Sequence, residues 1–177
     1  MRPAGTAPLW PEETIHVPII ELTDAQIEHL IREPKQLPRD YRTRLMNLRP
    51  RNAHQGSQLE ISTQAGKNFE IFLRQGMNHL DFSVILGYHL PAMNRVFRLR
   101  RYNGKSHVHG NRIEGNQFYA FHIHSATARY QAIGAREDTY AEPTDRFASL
   151  STAFDCMIMD CGFEGASLQL NLGLAVE

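Results

Sequence analysis

Leu59-Glu60-Ile61-Ser62-Thr63, the turn formers Ala65-Gly66-Lys67-Asn68, and Phe69-Glu70-Ile71-Phe72-Leu73 place an apolar residue at every second position on both sides of a turn. Side chains alternate across a strand, so this reads as an antiparallel hairpin with one buried face. Phe82-x-Val84-x-Leu86-x-Tyr88 continues the alternation downstream. A turn is predicted around residues 91–94, and Phe97-x-Leu99 opens another strand. After a stretch punctuated by Asn103, Gly104, Gly110, Asn111, Gly115 and Asn116, a further strand is predicted from Phe118 to His124. Its Tyr119, Phe121 and Ile123 should face the core.

Helical signals flank these strands. Thr23-x-x-Gln26 has capping-box form, Ile27, Leu30 and Ile31 recur at helical spacing, and Pro34 should end that helix. The arginine-rich stretch 38–53 (Arg39, Arg42, Arg44, Arg49, Arg51) carries Tyr41, Leu45 and Leu48 and predicts a short helix leading into an exposed basic loop. A helical segment is expected over 125–132, broken at Gly134. An amphipathic helix is expected from about Thr144 to Cys161, with Gly162 just past its end. Residues 168–176 could add an edge strand or a tail. The predicted fold class is α+β: a curved antiparallel sheet of about five strands with helices on one face. Residues 1–14, with Pro3, Pro8 and Pro11, read as a flexible tail, and 15–177 as a single α+β domain.

Composition narrows the function classes. A hydrophobic fraction of 42% with 21% charged residues argues against wholesale disorder. No apolar run is long enough for a membrane span, and the first residues lack the apolar segment of a secretory signal, so a cytoplasmic setting is expected. Cys156 and Cys161 make no disulfide framework and read as buried structural thiols. Net charge is zero but unevenly spread. Arg95, Arg98, Arg100, Arg101, Lys105 and Arg112 fall in a stretch without an acid, whereas 137–164 opposes seven acids to Arg146 alone. Either the basic stretch attracts phosphate, or it forms salt bridges to the acidic C-terminal half.

The chemistry-bearing motif is a repeated His-x-His, at His107/His109 and His122/His124. Residues i and i+2 of a strand share a face, so each pair projects two imidazoles together. The same parity places Arg98, Arg100 and Tyr102 outward, beside them. Two chemistries fit. Paired imidazoles can act as general base and acid near neutral pH, with Arg100, Lys105 and Arg129 on phosphate and Glu114 as base or orienter. Arg98, Tyr102 and Tyr130 would border such a site. RNA supplies its own 2′-hydroxyl nucleophile, so a metal-independent ribonuclease needs little more. Alternatively His107, His109, His122 and His124 are ligands for zinc, nickel, iron or another divalent transition metal. A non-enzymatic nucleic-acid or protein-binding module is the third reading. The remaining histidines, His16, His29, His54, His79 and His89, are scattered and read as surface residues.

Certain resemblances attach to these residues. The run from Phe97 through Arg101-Tyr102-Asn103-Gly104-Lys105-Ser106-His107 to Phe121-His122-Ile123-His124-Ser125-Ala126-Thr127-Ala128-Arg129-Tyr130-Gln131 resembles an uncharacterised bacterial family of small proteins. Tyr140–Arg146 and Asp160–Phe163 fit the same family, which implies a bacterial origin but brings no activity with it. Tyr102-Asn103 before His107/His109, and Phe121 before His122/His124, are similar in outline to histidine-rich ribonuclease toxins of toxin–antitoxin pairs. That similarity implies RNA as substrate and an antitoxin protein as partner. His107-x-His109-x4-Glu114 is similar to the first metal motif of cupins, but the motif's glycine does not fall at its place after the glutamate and no second motif with its histidine follows. Walker A, GxGxxG, HExxH and Cys-x-x-Cys motifs do not occur.

Overall fold

In a computed structural model, residues 20–91 and 94–165 are described. The expected tail over 1–14 and the edge strand or tail expected over 168–176 lie outside them. The first helix, α1 (Asp24–Arg32), begins where the sequence places it. Thr23 accepts the amide of Gln26, and Gln26 returns a bond to the Thr23 amide. Strand β1 (Lys35–Gln36) follows at once, and α2 (Tyr41–Met46) buries Tyr41 and Leu45. The expected basic loop is instead a short exposed strand, β2 (Arg49–Arg51).

The centre of the molecule is an antiparallel meander of β3 (His54–Ser62), β4 (Asn68–Gln75), β5 (Phe82–His89) and β6 (Val96–Asn103). With β2, β9 (His122–Ser125) and β10 (Tyr140–Pro143) it forms a seven-stranded sheet in the order β10-β9-β6-β5-β4-β3-β2. The expected curved antiparallel sheet is present with more strands than the sequence suggested. Short pieces such as Arg49–Arg51 and Tyr140–Pro143 have too few residues to show alternation. A separate hairpin, β7 (His109–Asn111) with β8 (Asn116–Phe118), and a parallel pair of β1 with β11 (Phe163–Glu164) complete the strands among the described residues.

One face of the sheet carries Leu59, Ile61, Phe69, Ile71, Leu73, Val84, Leu86 and Phe97, all buried. The helix α4 (Leu150–Asp160) packs there through Ala153, Phe154 and Met157. It starts later than the periodicity implied, because Ser149 and Thr152 form a capping box that sets its first turn. Gly162, at φ +67°, ends it, and a Cβ there would lie 2.6 Å from the Arg32 carbonyl oxygen. The short α3 (Ala128–Ala132) is capped by Thr127. Cys156 and Cys161 are free and buried, as expected.

Where α1 and α4 end, the Lys35 ammonium is fully buried and donates toward the carbonyl oxygens of Leu30 (2.8 Å), Ile31 (2.9 Å), Glu33 (2.8 Å) and Cys161 (3.0 Å). Unpaired carbonyls of a helix end need donors, and one lysine serves two helices here. It also ties the first helix to the last.

A register shift in β6 decides which side chains reach which face. Leu86 pairs with Arg100 and Gly87 with Arg98, so Leu99 is an extra residue opposite that step. Gly87 suits the spot, since a Cβ there would lie 2.2 Å from Val96 Cγ1. Beyond the bulge the parity inverts. Arg100 and Tyr102, expected on the open face, turn toward the helices, and Tyr102 is completely buried with its hydroxyl donating to Asp160 at 2.9 Å. Arg101 and Asn103 take the open face instead. The expected strand from Phe118 to His124 is likewise broken, between β8 and β9. Tyr119 is 59% exposed, contrary to its expected core position, because the chain leaves the sheet there.

Candidate functional site: a histidine cluster on the open sheet face

The register of the sheet lays out the open face as rows of neighbouring side chains. One row runs Gly56, Arg74, Ser83, Asn103, His122, Pro143, and the next runs Gln58, Phe72, Ile85, Arg101, His124, Ala141. His122 and His124 therefore sit at the β9 end of the open face, flanked by Asn103 and Arg101. The two His-x-His segments are not paired strands. His109 pairs with Phe118 within the β7–β8 hairpin, and that hairpin carries the His109 ring over β9.

The result is a tight cluster. The His109 ring centroid lies 5.1 Å from that of His122 and 4.8 Å from that of His124, and the latter two are 4.8 Å apart. One ring nitrogen from each of the three lies within 4.8 Å of the others. His122 is fully buried, His124 nearly so, and His109 is 9% exposed.

Hydrogen bonds define how two of the imidazoles are held. The Asn111 amide exchanges a pair of bonds with the Ala141 backbone: its Nδ2 donates to the carbonyl at 2.8 Å, and its Oδ1 accepts the N–H at 2.9 Å. That pairing fixes the amide's orientation, so Oδ1 can only accept from His109 Nε2, 3.0 Å away. His109 is left with its Nδ1 lone pair free. His122 Nδ1 donates to the Ala120 carbonyl at 2.8 Å, which frees Nε2. His124 Nε2 and His122 Nε2 both face the Asn103 side-chain nitrogen, at 3.3 and 3.5 Å, while Ser83 Oγ donates to Asn103 Oδ1 at 2.7 Å. His124 Nδ1 lies 3.2 Å from Arg101, whose guanidinium is held in turn by the fully buried Asp138 at 2.8 Å.

These surroundings disfavour charge on the rings. Burial pulls His122 down to about 4, with His109, His107 and Arg101 adding to the effect. Burial and the Arg101 guanidinium push His124 far below the ordinary histidine range. Burial also lowers His109, against the opposing hydrogen bond to Asn111.

The other sequence-predicted residues are distributed differently. His107 is exposed, on the loop before β7, with its ring 6.0 Å from that of His122. Glu114 lies in the exposed hairpin turn, where it pairs with Arg129 at 2.6 Å and accepts the Tyr130 hydroxyl at 2.7 Å. Arg129 also stacks over Tyr140 at 4.5 Å. Lys105 lies over the Phe121 ring at 5.0 Å. Arg98 is on the open face, whereas Arg100 and Tyr102 are on the helix side with Asp160. Three of the six basic residues of the stretch are paired with the acidic half. Arg95 meets Glu137, Arg100 meets Asp160 and Arg101 meets Asp138. Sequence reasoning missed Arg101, Asn103, Asn111 and Asp138. The bulge hid the first two, and no periodic pattern marks the others.

The fold and cluster describe an α+β protein whose open sheet carries converging neutral imidazoles. No family model, no curated protein and no solved structure matches the chain. Among the described residues, no helix is long and apolar enough to cross a membrane.

Proposed function

We propose that His109, His122 and His124 form a centre for one divalent transition metal of the zinc class. The observation that carries this reading is the convergence of three ring nitrogens within 4.8 Å of one another. The hydrogen bonds of His109 and His122 support it, since each spends one ring N–H on an oxygen and orients the ring from behind, as ligand histidines commonly require. On His122 the second nitrogen would exchange the Asn103 amide, 3.5 Å away, for the metal. Ligands about 2.0–2.1 Å from zinc sit closer together than this, so the rings would swing inward by roughly an ångström on binding. Three imidazoles would leave one coordination position for water, whose acidity the metal would raise, and the exposed His107 ring lies 6.0 Å from that of His122.

Metal analysis of the untagged protein after reconstitution with zinc tests the reading. About one equivalent that falls steeply in His122→Ala is expected. Sub-stoichiometric metal, unchanged by that substitution, would sink it.

A second reading is favoured by one observation: His107 is exposed while its neighbour His122 is buried. Such unlike imidazoles could divide the general-acid and general-base roles of a metal-independent ribonuclease. That reading carries RNA as substrate, an antitoxin protein as partner and a cytoplasmic setting. RNA cleavage that persists in EDTA and is lost in His107→Ala would favour it over the metal centre.

A further inference from the structure

The open face of the sheet continues beyond the histidines. Four strand spacings, about 19 Å, separate β9 from β3 along the rows. Over β3–β6 this face holds a groove of about 430 Å³, lined by Arg51, His54, Arg74 and Arg98 around Phe72 and Ile85. Phe72 and Ile85 are cross-strand partners, half-buried, in the same row as Arg101 and His124. A second hollow of about 390 Å³ adjoins it through Arg51 and is lined by Arg44 and Arg49.

No acidic residue lines the groove. Arg74 is engaged by Asp81, at 2.8 and 3.2 Å, and the pair Glu60 and Glu70 lies one row beyond Gln58 and Phe72 of the lining, with Glu70 facing His89 at 3.2 Å. Among the described residues Arg49, Arg51 and Arg98 have no carboxylate within ion-pairing distance, and Arg51 reaches only the amide of Gln58. A half-open aromatic ring between uncompensated guanidiniums suits a ligand that repeats a flat base and a phosphate. A folded protein partner would need apolar area beyond Phe72 and Ile85, and the groove offers little.

We infer that this groove binds single-stranded nucleic acid, with a base stacked on Phe72 and backbone phosphates on Arg51 and Arg98. The site is separate from the histidine cluster and does not require a metal there. A strand lying along the rows would lead toward His124.

The test is fluorescence anisotropy with a labelled oligouridylate of about twelve nucleotides. EDTA is present throughout, so that the outcome is independent of the metal centre. Binding is expected to weaken steeply with salt. The double variant Arg51→Ala/Arg98→Ala should lose about tenfold or more and flatten the salt slope by about 1.4. Phe72→Leu keeps the position apolar but removes the stacking face, and should lose at least about fivefold with the salt slope unchanged. Arg42→Ala, on the helix side beside Asp155, should bind as the parent does. Three results would overturn the inference: no binding, polyphosphate binding as tightly as the oligonucleotide with Phe72→Leu silent, or equal losses in Arg42→Ala and the double variant.

Discussion

Asn111 Oδ1 accepts the Nε2 hydrogen of His109 at 3.0 Å, and the same amide is locked to the backbone of Ala141 on both sides. One side chain thus docks the β7–β8 hairpin onto β10 and chooses the histidine's tautomer. Asn111→Leu should therefore act on metal binding as well as on docking. Partners behind a ligand imidazole are worth about 10- to 100-fold in affinity. A drop of that size in zinc affinity is expected by competition titration, with circular dichroism showing the sheet intact. An unchanged affinity would mean that the tautomer is set elsewhere.

Lys35 makes a prediction about stability alone. Its ammonium serves four carbonyl oxygens at the ends of two helices, and burial pulls its pKa down to about 8. Lys35→Met keeps the stem's volume but strands those acceptors, at a cost of about 3 kcal/mol or more. Urea denaturation would read this as a lowered midpoint, while zinc stoichiometry stays constant. A loss below about 1 kcal/mol would show that water replaces the ammonium.

Acid should unfold the metal-free protein earlier than its carboxylates require. His109, His122 and His124 are all lowered, His122 to about 4, whereas an unfolded histidine titrates near 6.5. Below that value the unfolded chain takes up protons that the folded chain refuses. Their contribution is complete above about pH 6.5 and is lost as pH falls, at about 1.4 kcal/mol per pH unit for each group. Urea midpoints measured in EDTA should hold between about pH 7.5 and pH 6.5 and decline from there to about pH 5. A flat profile would mean that the rings protonate in place.

Tyr102→Phe separates the two faces of β6. The hydroxyl donates to Asp160, which Arg146 also grips at 2.7 and 2.8 Å. Its removal should cost about 1–2 kcal/mol by thermal unfolding and leave metal content and oligonucleotide binding unchanged. A change in either would return Tyr102 to the role its sequence position suggested.

Local signals carried much of the architecture. The capping box at Thr23 to Gln26, the alternation of Leu59–Leu73 and Phe82–Tyr88, and the glycine after Cys161 each act within a few residues, so the sequence alone located α1, the β3–β5 meander and the end of α4. The paired histidines marked the site for the same reason, since His122 and His124 needed only strand parity to share a face. What assembled around them was decided at longer range. Leu99 adds one residue to β6, which exchanges Arg100 and Tyr102 for Arg101 and Asn103 on the histidine face. His109 joins the cluster because its hairpin is moored by Asn111 to Ala141, thirty residues away. A bulge exists only against its partner strand, and a mooring amide only against the backbone it pairs with. Neither leaves a period in the sequence, and tertiary packing alone places them.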